Sequence, residues 1–212
     1  MIYVFGNSHS HFFTGSHPAT HGFGENEHFL FKSFSLGPTL AYNFFENHYP
    51  RILSILQEID FKKEQDYILL AVGEVDCRWH LPYQIYRQQR GEKEVIEECL
   101  IRFFQTFKDI QKRGIKCIAW SGHPSTTSGH NDDPSVPVFG NCVDRNRISK
   151  IWSDSLEKMS ESEGIPFVSI IDELIDTNGL TNMSYFIDYC HLDTNKLSNI
   201  LEKKFRDKNL WI

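Results

Sequence analysis

The sequence lacks the long apolar segments that membrane proteins and secreted precursors carry. No run in the 212 residues approaches the ~18–20 apolar residues that a membrane-spanning helix needs. The first residues, Met-Ile-Tyr-Val-Phe-Gly, show no basic region, no long apolar stretch and no cleavage site of the kind found in signal peptides. We therefore expect a cytoplasmic protein that has no membrane partner.

Cysteine is scarce and widely spaced. The five cysteines form no C-x-x-C pair and no closely spaced set; they are Cys77, Cys99, Cys117, Cys142 and Cys190. This spacing does not indicate a disulfide scaffold. We expect reduced thiols, most of them buried.

Positive charge is also sparse. The chain has 22 Lys and Arg against 28 Asp and Glu, for a formal net charge of -6, and no basic cluster is longer than a pair. Binding to a phosphate backbone needs concentrated positive charge. Nucleic acid is therefore not an expected partner.

Aromatic residues, by contrast, are abundant. The chain has 17 Phe, 8 Tyr and 4 Trp, and its composition is 40% hydrophobic and 24% charged. These values are ordinary for a globular protein of this length, with an interior built around large rings. We expect residues 1–212 to form a single domain.

Strand-like and helix-like patterns alternate along the chain. Short apolar runs bounded by turn residues cover 2–5, 67–72, 117–120 and 166–171. Amphipathic helical patterns cover 92–113, 144–163, 194–206 and 39–59. Pro50 should divide the last of these, because proline interrupts a helix interior. The alternation predicts an α/β protein, a three-layer α/β/α domain with a central, mostly parallel sheet.

Two long segments look irregular. They are 14–35, rich in glycine, histidine and aromatics, and 121–146, rich in serine, glycine, proline and aspartate. Long loops inside a compact domain are often functional. We expect 121–146 to act as a mobile cover over a site, because it has few apolar anchors.

Polar clusters follow three of the predicted strands. They are Gly6-Asn7-Ser8-His9, Gly73-Glu74-Val75-Asp76 and Ser121-Gly122-His123. Ligands of open parallel sheets bind at the carboxyl ends of the strands, so these clusters should share one crevice. Asp188-Tyr189-Cys190-His191, just before the last helix, would bring a carboxylate and an imidazole to the same edge. A serine hydroxyl becomes a good nucleophile when such an imidazole takes its proton.

These motifs resemble the blocks of the SGNH, or GDSL-like, hydrolases. Gly6-Asn7-Ser8-His9 resembles the first block, Gly37 stands like the glycine of the second, and Asp188-x-x-His191 resembles the last. The resemblance implies a flavodoxin-like fold and a reaction without metal or cofactor. It implies Ser8 as nucleophile, His191 as base and Asp188 as the group that orients His191, in an esterase or acyltransferase.

The third block departs from this pattern. Family members have Gly-x-Asn-Asp, whose asparagine would complete an oxyanion hole with the N–H groups of Ser8 and Gly37. Here Val75 stands at the asparagine position and cannot donate. One such donor stabilises the transition state by roughly 3–4 kcal/mol. We expect the Arg78 guanidinium to substitute for it, with Glu74 or Asp76 anchoring Arg78 or a sugar hydroxyl.

The expected substrate is a small acyl ester, with acetyl on a carbohydrate as the preferred interpretation. The candidate substrate-binding residues are Asn7, His9, Glu74, Asp76 and His123. An acceptor shelf could be built from Phe12, Phe13, Phe23 and Trp79. A metal site is not expected, because the spacing of the nearby histidines fits no standard ligand pattern; they are His9, His11, His17, His21 and His28.

Two alternatives to hydrolysis stay open at this point. One is an O-acyltransferase of polysaccharide biosynthesis that uses an acyl thioester donor. The other is a catalytically degenerate SGNH fold that binds a glycan or a protein partner, which Val75 at the donor position leaves open. The sequence does not indicate an oligomeric state.

Overall fold

The computed structural model describes residues 1–15, 31–127 and 137–210, together with the backbone of 23–26. Its strands form one six-stranded sheet. In chain order they are β1 (Ile2–Gly6), β2 (Phe23–Asn26), β3 (Phe31–Ser35), β4 (Tyr67–Ala71), β5 (Lys116–Trp120) and β6 (Phe167–Val168).

The spatial order of the strands is β2-β3-β1-β4-β5-β6. β1 lies at the centre and runs parallel to both neighbours, with Ile2 opposite Phe31 on one side and Tyr67 on the other. β5 and β6 continue the parallel arrangement, and only the edge strand β2 is antiparallel. All parallel strands thus end at one edge of the sheet, which is where the polar clusters begin.

Helices cover both faces of this sheet. In chain order the α-helices are α1 (Phe44–Asn47), α2 (Tyr49–Glu58), α3 (Leu81–Gln88), α4 (Glu92–Lys112), α5 (Cys142–Ser162), α6 (Ile171–Leu174) and α7 (Thr194–Asp207). Short 3-10 helices occur at Ser8–Phe13, Ala41–Asn43 and Met183–Tyr185, and a π-helical turn at Asp76–His80. Pro50 lies in the first turn of α2, where its missing N–H is tolerated, so the predicted division of 39–59 is confirmed.

Alternate residues of β1 feed two separate cores. Tyr3 and Phe5 belong to the cluster under α4 and α5, whereas Ile2 and Val4 belong to the cluster under α7. A strand buried on both faces needs apolar residues at every position. The predicted three-layer α/β/α architecture with a mostly parallel sheet is therefore confirmed.

The segment 14–35 contains two strands that the sequence pattern missed. In β3, Phe31 packs into the core beneath α7, whereas Phe34 packs against the core on the opposite face. Because these two rings are three residues apart, the segment shows neither strict alternation nor a continuous apolar run. β6 is shorter than the predicted 166–171, since α6 begins at Ile171.

The described ends of the segment 121–146 are fixed in place, and its role as a mobile cover stays a prediction. Residues 121–126 are buried. Arg145, also buried, donates to the Ser125 hydroxyl (3.1 Å), to the Thr126 carbonyl (2.7 Å) and to the Gly140 carbonyl. Polar contacts thus anchor both described ends of the segment, although the sequence analysis considered only apolar anchors. Residues 128–136 lie outside the described residues.

The thiols agree with the expectation from composition. All five cysteines are free and buried. Among the described residues, no helix is both long and apolar enough to cross a bilayer. Cytoplasmic localisation stays a prediction.

Candidate active site

Ser8 lies at the carboxyl end of the central strand. Gly6 ends β1 so close to β4 that a Cβ there would meet the Ala71 carbonyl oxygen at 2.2 Å, so glycine is needed. Asn7 then caps the short 3-10 helix, because its side-chain oxygen accepts the His9 N–H at 3.1 Å. This local geometry presents Ser8 at the start of the helix.

The other half of the site is a tight turn before α7. One carboxylate oxygen of Asp188 accepts the backbone N–H groups of Cys190 (2.8 Å) and His191 (2.7 Å). The second oxygen accepts from Nδ1 of His191 at 2.7 Å. Burial acts to raise the pKa of Asp188, but these hydrogen bonds outweigh it and hold the pKa well below its usual range.

The two halves meet through the imidazole of His191. Its Nε2 lies 2.8 Å from Oγ of Ser8, across 183 positions of sequence. Since Nδ1 donates to Asp188, Nε2 carries the lone pair and the Ser8 hydroxyl donates to it. Ser8, His191 and Asp188 therefore form one continuous chain of hydrogen bonds. This arrangement can remove a proton from the serine and return it.

A pocket of about 600 Å³ opens beside Ser8. Its walls are mostly apolar, with a few polar groups, as is usual for ligand sites. The described residues that line it are Asn7, Ser8, His9, Ser35, Gly37, Pro38, Thr39, Leu40, Asn43, Asn47, His48, Val75, Arg78, Trp79, Pro137, Cys190 and His191.

The three residues expected to form the oxyanion hole, Ser8, Gly37 and Arg78, all line this pocket. Gly37 has a φ of +82°, a conformation that favours glycine, and its N–H makes only a long 3.4 Å contact with the Ser35 hydroxyl. Ser8 is the first residue of its helix, so its backbone N–H has no hydrogen-bond acceptor within the helix. Val75 also lines the pocket and supplies an apolar side chain where an amide was expected.

Arg78 lines the pocket but is already held from two sides. Its Nε donates to Glu74 (2.7 Å) and its Nη1 to the Pro137 carbonyl (2.8 Å). The structure gives Nη2 no hydrogen-bond partner among the residues it describes. The position is thus compatible with the expected donor role, through one remaining nitrogen.

Glu74 and His9 form a buried pair at the edge of the pocket, where His9 is part of the lining and Glu74 lies behind it. Nε2 of His9 donates to Glu74 at 2.8 Å. Burial lowers the pKa of His9 despite the nearby carboxylate, so its ring is neutral. Burial acts to raise the pKa of Glu74, but Arg78 and His9 outweigh it and keep the group ionised. Both Glu74 oxygens are thus engaged and Glu74 does not line the pocket, which corrects its expected substrate contact and confirms the alternative expectation that Glu74 anchors Arg78.

His123 lies behind His9 rather than in the pocket. Its Nε2 donates to the Cys190 carbonyl at 3.1 Å, and its ring stands edge-on to His9 with centroids 4.4 Å apart. Burial, reinforced by the neighbouring His9, lowers the pKa of His123 to about 3. The expected substrate contact is therefore corrected: this neutral ring supports the turn that carries His191.

Asp76 also lies away from the pocket lining. Its carboxylate accepts the Ala41 N–H at 3.0 and 3.1 Å and contacts Nδ1 of His80 at 3.3 Å. The side chain is fully buried, and burial raises its pKa. These contacts replace the expected substrate or Arg78 contact, and they fix the turn at Ala41 beside the pocket.

The aromatic shelf is only partly as expected. Phe12 and Phe13 are buried in the core under α7, because the 3-10 helix turns them away from the sheet edge. The side chain of Phe23 lies outside the described residues. Trp79 does line the pocket.

Two groups of described residues bring potential metal ligands within 4.8 Å of one another, namely Asp188, Cys190 and His191, and Asp76, His80 and Cys99. Hydrogen bonds within the protein already link the carboxylate to the imidazole in each group. His17, His21 and His28 lie outside the described residues. A metal-free reaction stays a prediction.

Three further residues that were not predicted from the sequence line the pocket, namely Asn43, Asn47 and His48. They lie between the predicted strands, in a segment interpreted only as helix. The segment follows Gly37, and its proximity to that glycine is the one signal that could have pointed to them.

Comparison with solved structures identifies chains of similar fold at low identity. A GDSL-like lipase from Bacteroides thetaiotaomicron has a TM-score of 0.62 at 15% identity, over 99% of this chain and 88% of the lipase. An acetyl xylan esterase has a TM-score of 0.54 at 12% identity, over 98% of this chain and 99% of the esterase. An acetylxylan esterase from Geobacillus stearothermophilus has a TM-score of 0.51 at 13% identity, over 98% of this chain and 93% of the esterase. No protein-family model and no curated protein compared with the sequence matches it.

The chain thus has the fold of the SGNH, or GDSL-like, hydrolases, as the sequence motifs predicted. The flavodoxin-like order of its five parallel strands agrees with this class.

Proposed function

We propose that the protein is a serine ester hydrolase. Ser8 is the nucleophile, His191 the general base and Asp188 the group that orients His191. The observation that carries this proposal is the hydrogen-bond chain of 2.8 and 2.7 Å from Ser8 through His191 to Asp188. A hydroxyl, an imidazole and a carboxylate in this order have the roles of a serine hydrolase triad.

In the proposed reaction Oγ of Ser8 attacks the acyl carbon while its proton moves to Nε2 of His191. The tetrahedral intermediate collapses as His191 returns that proton to the leaving alcohol oxygen, which leaves an acyl group on Ser8. Water then attacks this ester, gives one proton to His191 and releases the acid, and Ser8 recovers its proton. Asp188 stays ionised and stabilises the imidazolium at both steps.

The negative charge of the intermediate needs donors in the pocket. We assign this role to the N–H groups of Ser8 and Gly37 and to Nη2 of Arg78. The guanidinium is suited to it because its charge does not depend on pH and its pairing with Glu74 fixes its direction.

An O-acetylated carbohydrate is the proposed substrate. Two solved structures of similar fold bear the names of acetyl xylan esterases, and the pocket of about 600 Å³ exceeds the needs of an acetyl group alone. An acyl group next to Ser8 would leave most of this space for the alcohol part of the ester.

The experiment compares the wild type with Ser8→Ala on ethyl acetate and on acetylated methyl pyranosides. Removing the nucleophile should lower kcat by roughly 10⁴-fold or more. Ser10→Ala is the matched control, because this hydroxyl lies on the same helix but donates to the Asn7 carbonyl. Turnover in Ser8→Ala above half of the wild-type value would overturn the proposal.

The same assay separates the two alternatives. Consumption of acetyl-CoA only when a sugar acceptor is present, with little cleavage of simple esters, would identify a transferase. Binding of acetylated sugars without turnover, in a wild type that a fluorophosphonate probe does not label at Ser8, would identify a non-catalytic protein.

A further inference from the structure

Trp79 supplies a rigid aromatic wall to the pocket beside Ser8. Its indole stacks on Tyr83 with ring centroids 5.6 Å apart and an interplanar angle of 2°. Phe139 packs edge-on against Tyr83 at 5.8 Å, and the Phe139 N–H donates to the Arg78 carbonyl at 3.1 Å. The orientation of the indole is therefore fixed before any ligand binds. An aromatic face carries partial negative charge and attracts polarised C–H groups, such as those of a sugar ring.

Polar side chains with unused hydrogen-bonding capacity line the same pocket. The side-chain oxygen of Asn43 is buried, yet it has no hydrogen-bond partner among the described residues. Asn47 and His48 add two further polar groups. A buried polar atom without a partner costs about 1–3 kcal/mol, and a ligand hydroxyl that reaches the Asn43 amide would remove that cost.

The charge of the lining favours a neutral ligand. The described lining contains no carboxylate, and its guanidinium, that of Arg78, is already paired with Glu74 at 2.7 Å. Neither a cationic nor a strongly anionic group therefore finds an unpaired counter-charge there. An aromatic wall combined with amide groups is suited to a ligand that has C–H faces and hydroxyl edges.

We infer that Trp79 and Asn43 form a sugar subsite for a pyranose ring. The ring lies against the indole of Trp79, its hydroxyls bond to Asn43 and Asn47, and its O-acetyl group projects toward Ser8. The volume of about 600 Å³ suits this assignment, since ligand pockets of roughly 300–1,000 Å³ bury most of a small organic molecule. The inference rests on the proposed ester hydrolysis at Ser8, and it adds the residues that select the alcohol.

The test measures KM and kcat for two substrate types. The first is a panel of methyl pyranosides of xylose, glucose and N-acetylglucosamine that carry ring O-acetyl groups; the second is ethyl acetate. Trp79→Ala should raise KM for at least one sugar ester about tenfold, as expected for loss of a stacking contact and its buried area, and Trp79→Phe should recover most of it. For ethyl acetate, kcat/KM should change less than about twofold, since this ester leaves the subsite empty. Ile101→Ala is the control, because Ile101 is an exposed apolar residue of α4 and does not line the pocket.

Binding is measured separately in the Ser8→Ala protein, by calorimetry with the same sugar esters. Weaker binding in Ser8→Ala with Trp79→Ala or Asn43→Ala supports the subsite even if the wild type cleaves no ester, and only the proposed hydrolysis then fails. Cleavage through Ser8 with unchanged KM and unchanged binding in both variants overturns the subsite and leaves the hydrolase intact.

Discussion

Two histidine–carboxylate pairs lie side by side at the edge of the sheet. The outer pair, His191 and Asp188, is partly exposed, with side-chain accessibilities of 17% and 37%. The inner pair, His9 and Glu74, is almost inaccessible, with values of 6% and 2%. The two imidazole rings are 4.9 Å apart, and their hydrogen bonds to carboxylate are nearly equal at 2.7 and 2.8 Å.

The two imidazoles differ in their other hydrogen-bond partners, and this difference gives the two pairs different roles. The outer imidazole presents a lone pair to Ser8, so it can accept and return a proton. The inner imidazole uses its proton on Glu74, and its Nδ1 is buried with no hydrogen-bond partner among the described residues. Because Glu74 is also paired with Arg78, the inner pair forms part of a fixed charge network. A histidine–carboxylate contact therefore does not by itself identify a general base. The hydrogen-bond partner of the second ring nitrogen distinguishes the two histidines.

Removing the outer imidazole should have the largest effect on activity. His191→Ala should lower kcat for ethyl acetate roughly 10⁴-fold or more, because no group then takes the Ser8 proton. His9→Gln should lower kcat only about tenfold, since the His9 ring packs 4.9 Å from the His191 ring but does not take the Ser8 proton in the proposed mechanism. Steady-state kinetics of both variants, with circular dichroism as a check of folding, measure the contrast.

Non-additivity sharpens this test. In the proposed mechanism Ser8 and His191 act as one unit, so the double variant should be about as slow as either single variant. Losses that multiply in the double variant, or equal losses in His9→Gln and His191→Ala, would contradict the assigned division of roles.

Breaking the inner network should mainly reduce stability. Glu74→Gln leaves the buried Arg78 guanidinium without its counter-charge, and breaking a buried ion pair from one side costs about 3–5 kcal/mol. Glu94→Gln removes an exposed partner of Arg90 and is the matched control. Urea unfolding should show a large loss of unfolding free energy for the first variant and little change for the second. Equal unfolding free energies of Glu74→Gln and the wild type would show that the network does not stabilise the fold.

The Nη2 donor of Arg78 allows a more specific test, with a smaller expected effect on kcat. Arg78→Lys keeps the charge but cannot hold Glu74, the Pro137 carbonyl and an oxyanion at the same time. Loss of that last contact should lower kcat about 10²-fold with little change in KM, as for other single oxyanion donors. A larger effect on KM than on kcat would instead assign Arg78 to substrate binding.

The residue chemistry of the site was easier to predict than its inner contacts. A serine after the first strand and an Asp-x-x-His before the last helix could be brought together because parallel strands end at one edge. The anchoring of Arg78 by Glu74 was expected, whereas the partners of Asp76 and the second anchor of Arg78 could not be predicted in this way. Asp76 accepts the backbone N–H of Ala41, and Arg78 donates to the Pro137 carbonyl. Backbone groups leave no signal in the identity of a residue.

The same limit applies to the fold. β1, β4 and β5 are short apolar runs and were predicted, whereas β3 was missed because Phe31 and Phe34 face different cores. Arg145 shows the opposite case, a charged residue that is fully buried because two carbonyls and a hydroxyl accept its N–H groups. Composition indicated a loose segment there, but polar groups can anchor a loop as firmly as apolar ones.

The smallest expected effect concerns pH and the neutral histidine behind the inner pair. Burial, together with the neighbouring His9, lowers the pKa of His123 to about 3, whereas the unfolded chain has a histidine pKa of about 6.5. Between these values the unfolded chain binds a proton that the folded chain does not, so the unfolding free energy falls as the pH drops, by at most about 1.4 kcal/mol per pH unit from this group.

His123→Gln can still donate to the Cys190 carbonyl but does not titrate. At pH 7.5 the two proteins should differ only by packing, and between pH 6.5 and 4.5 the variant should lose less stability than the wild type. Urea unfolding at pH 7.5, 6.5, 5.5 and 4.5 measures the difference, and parallel curves for the two proteins would mean that His123 does not remain neutral in the fold.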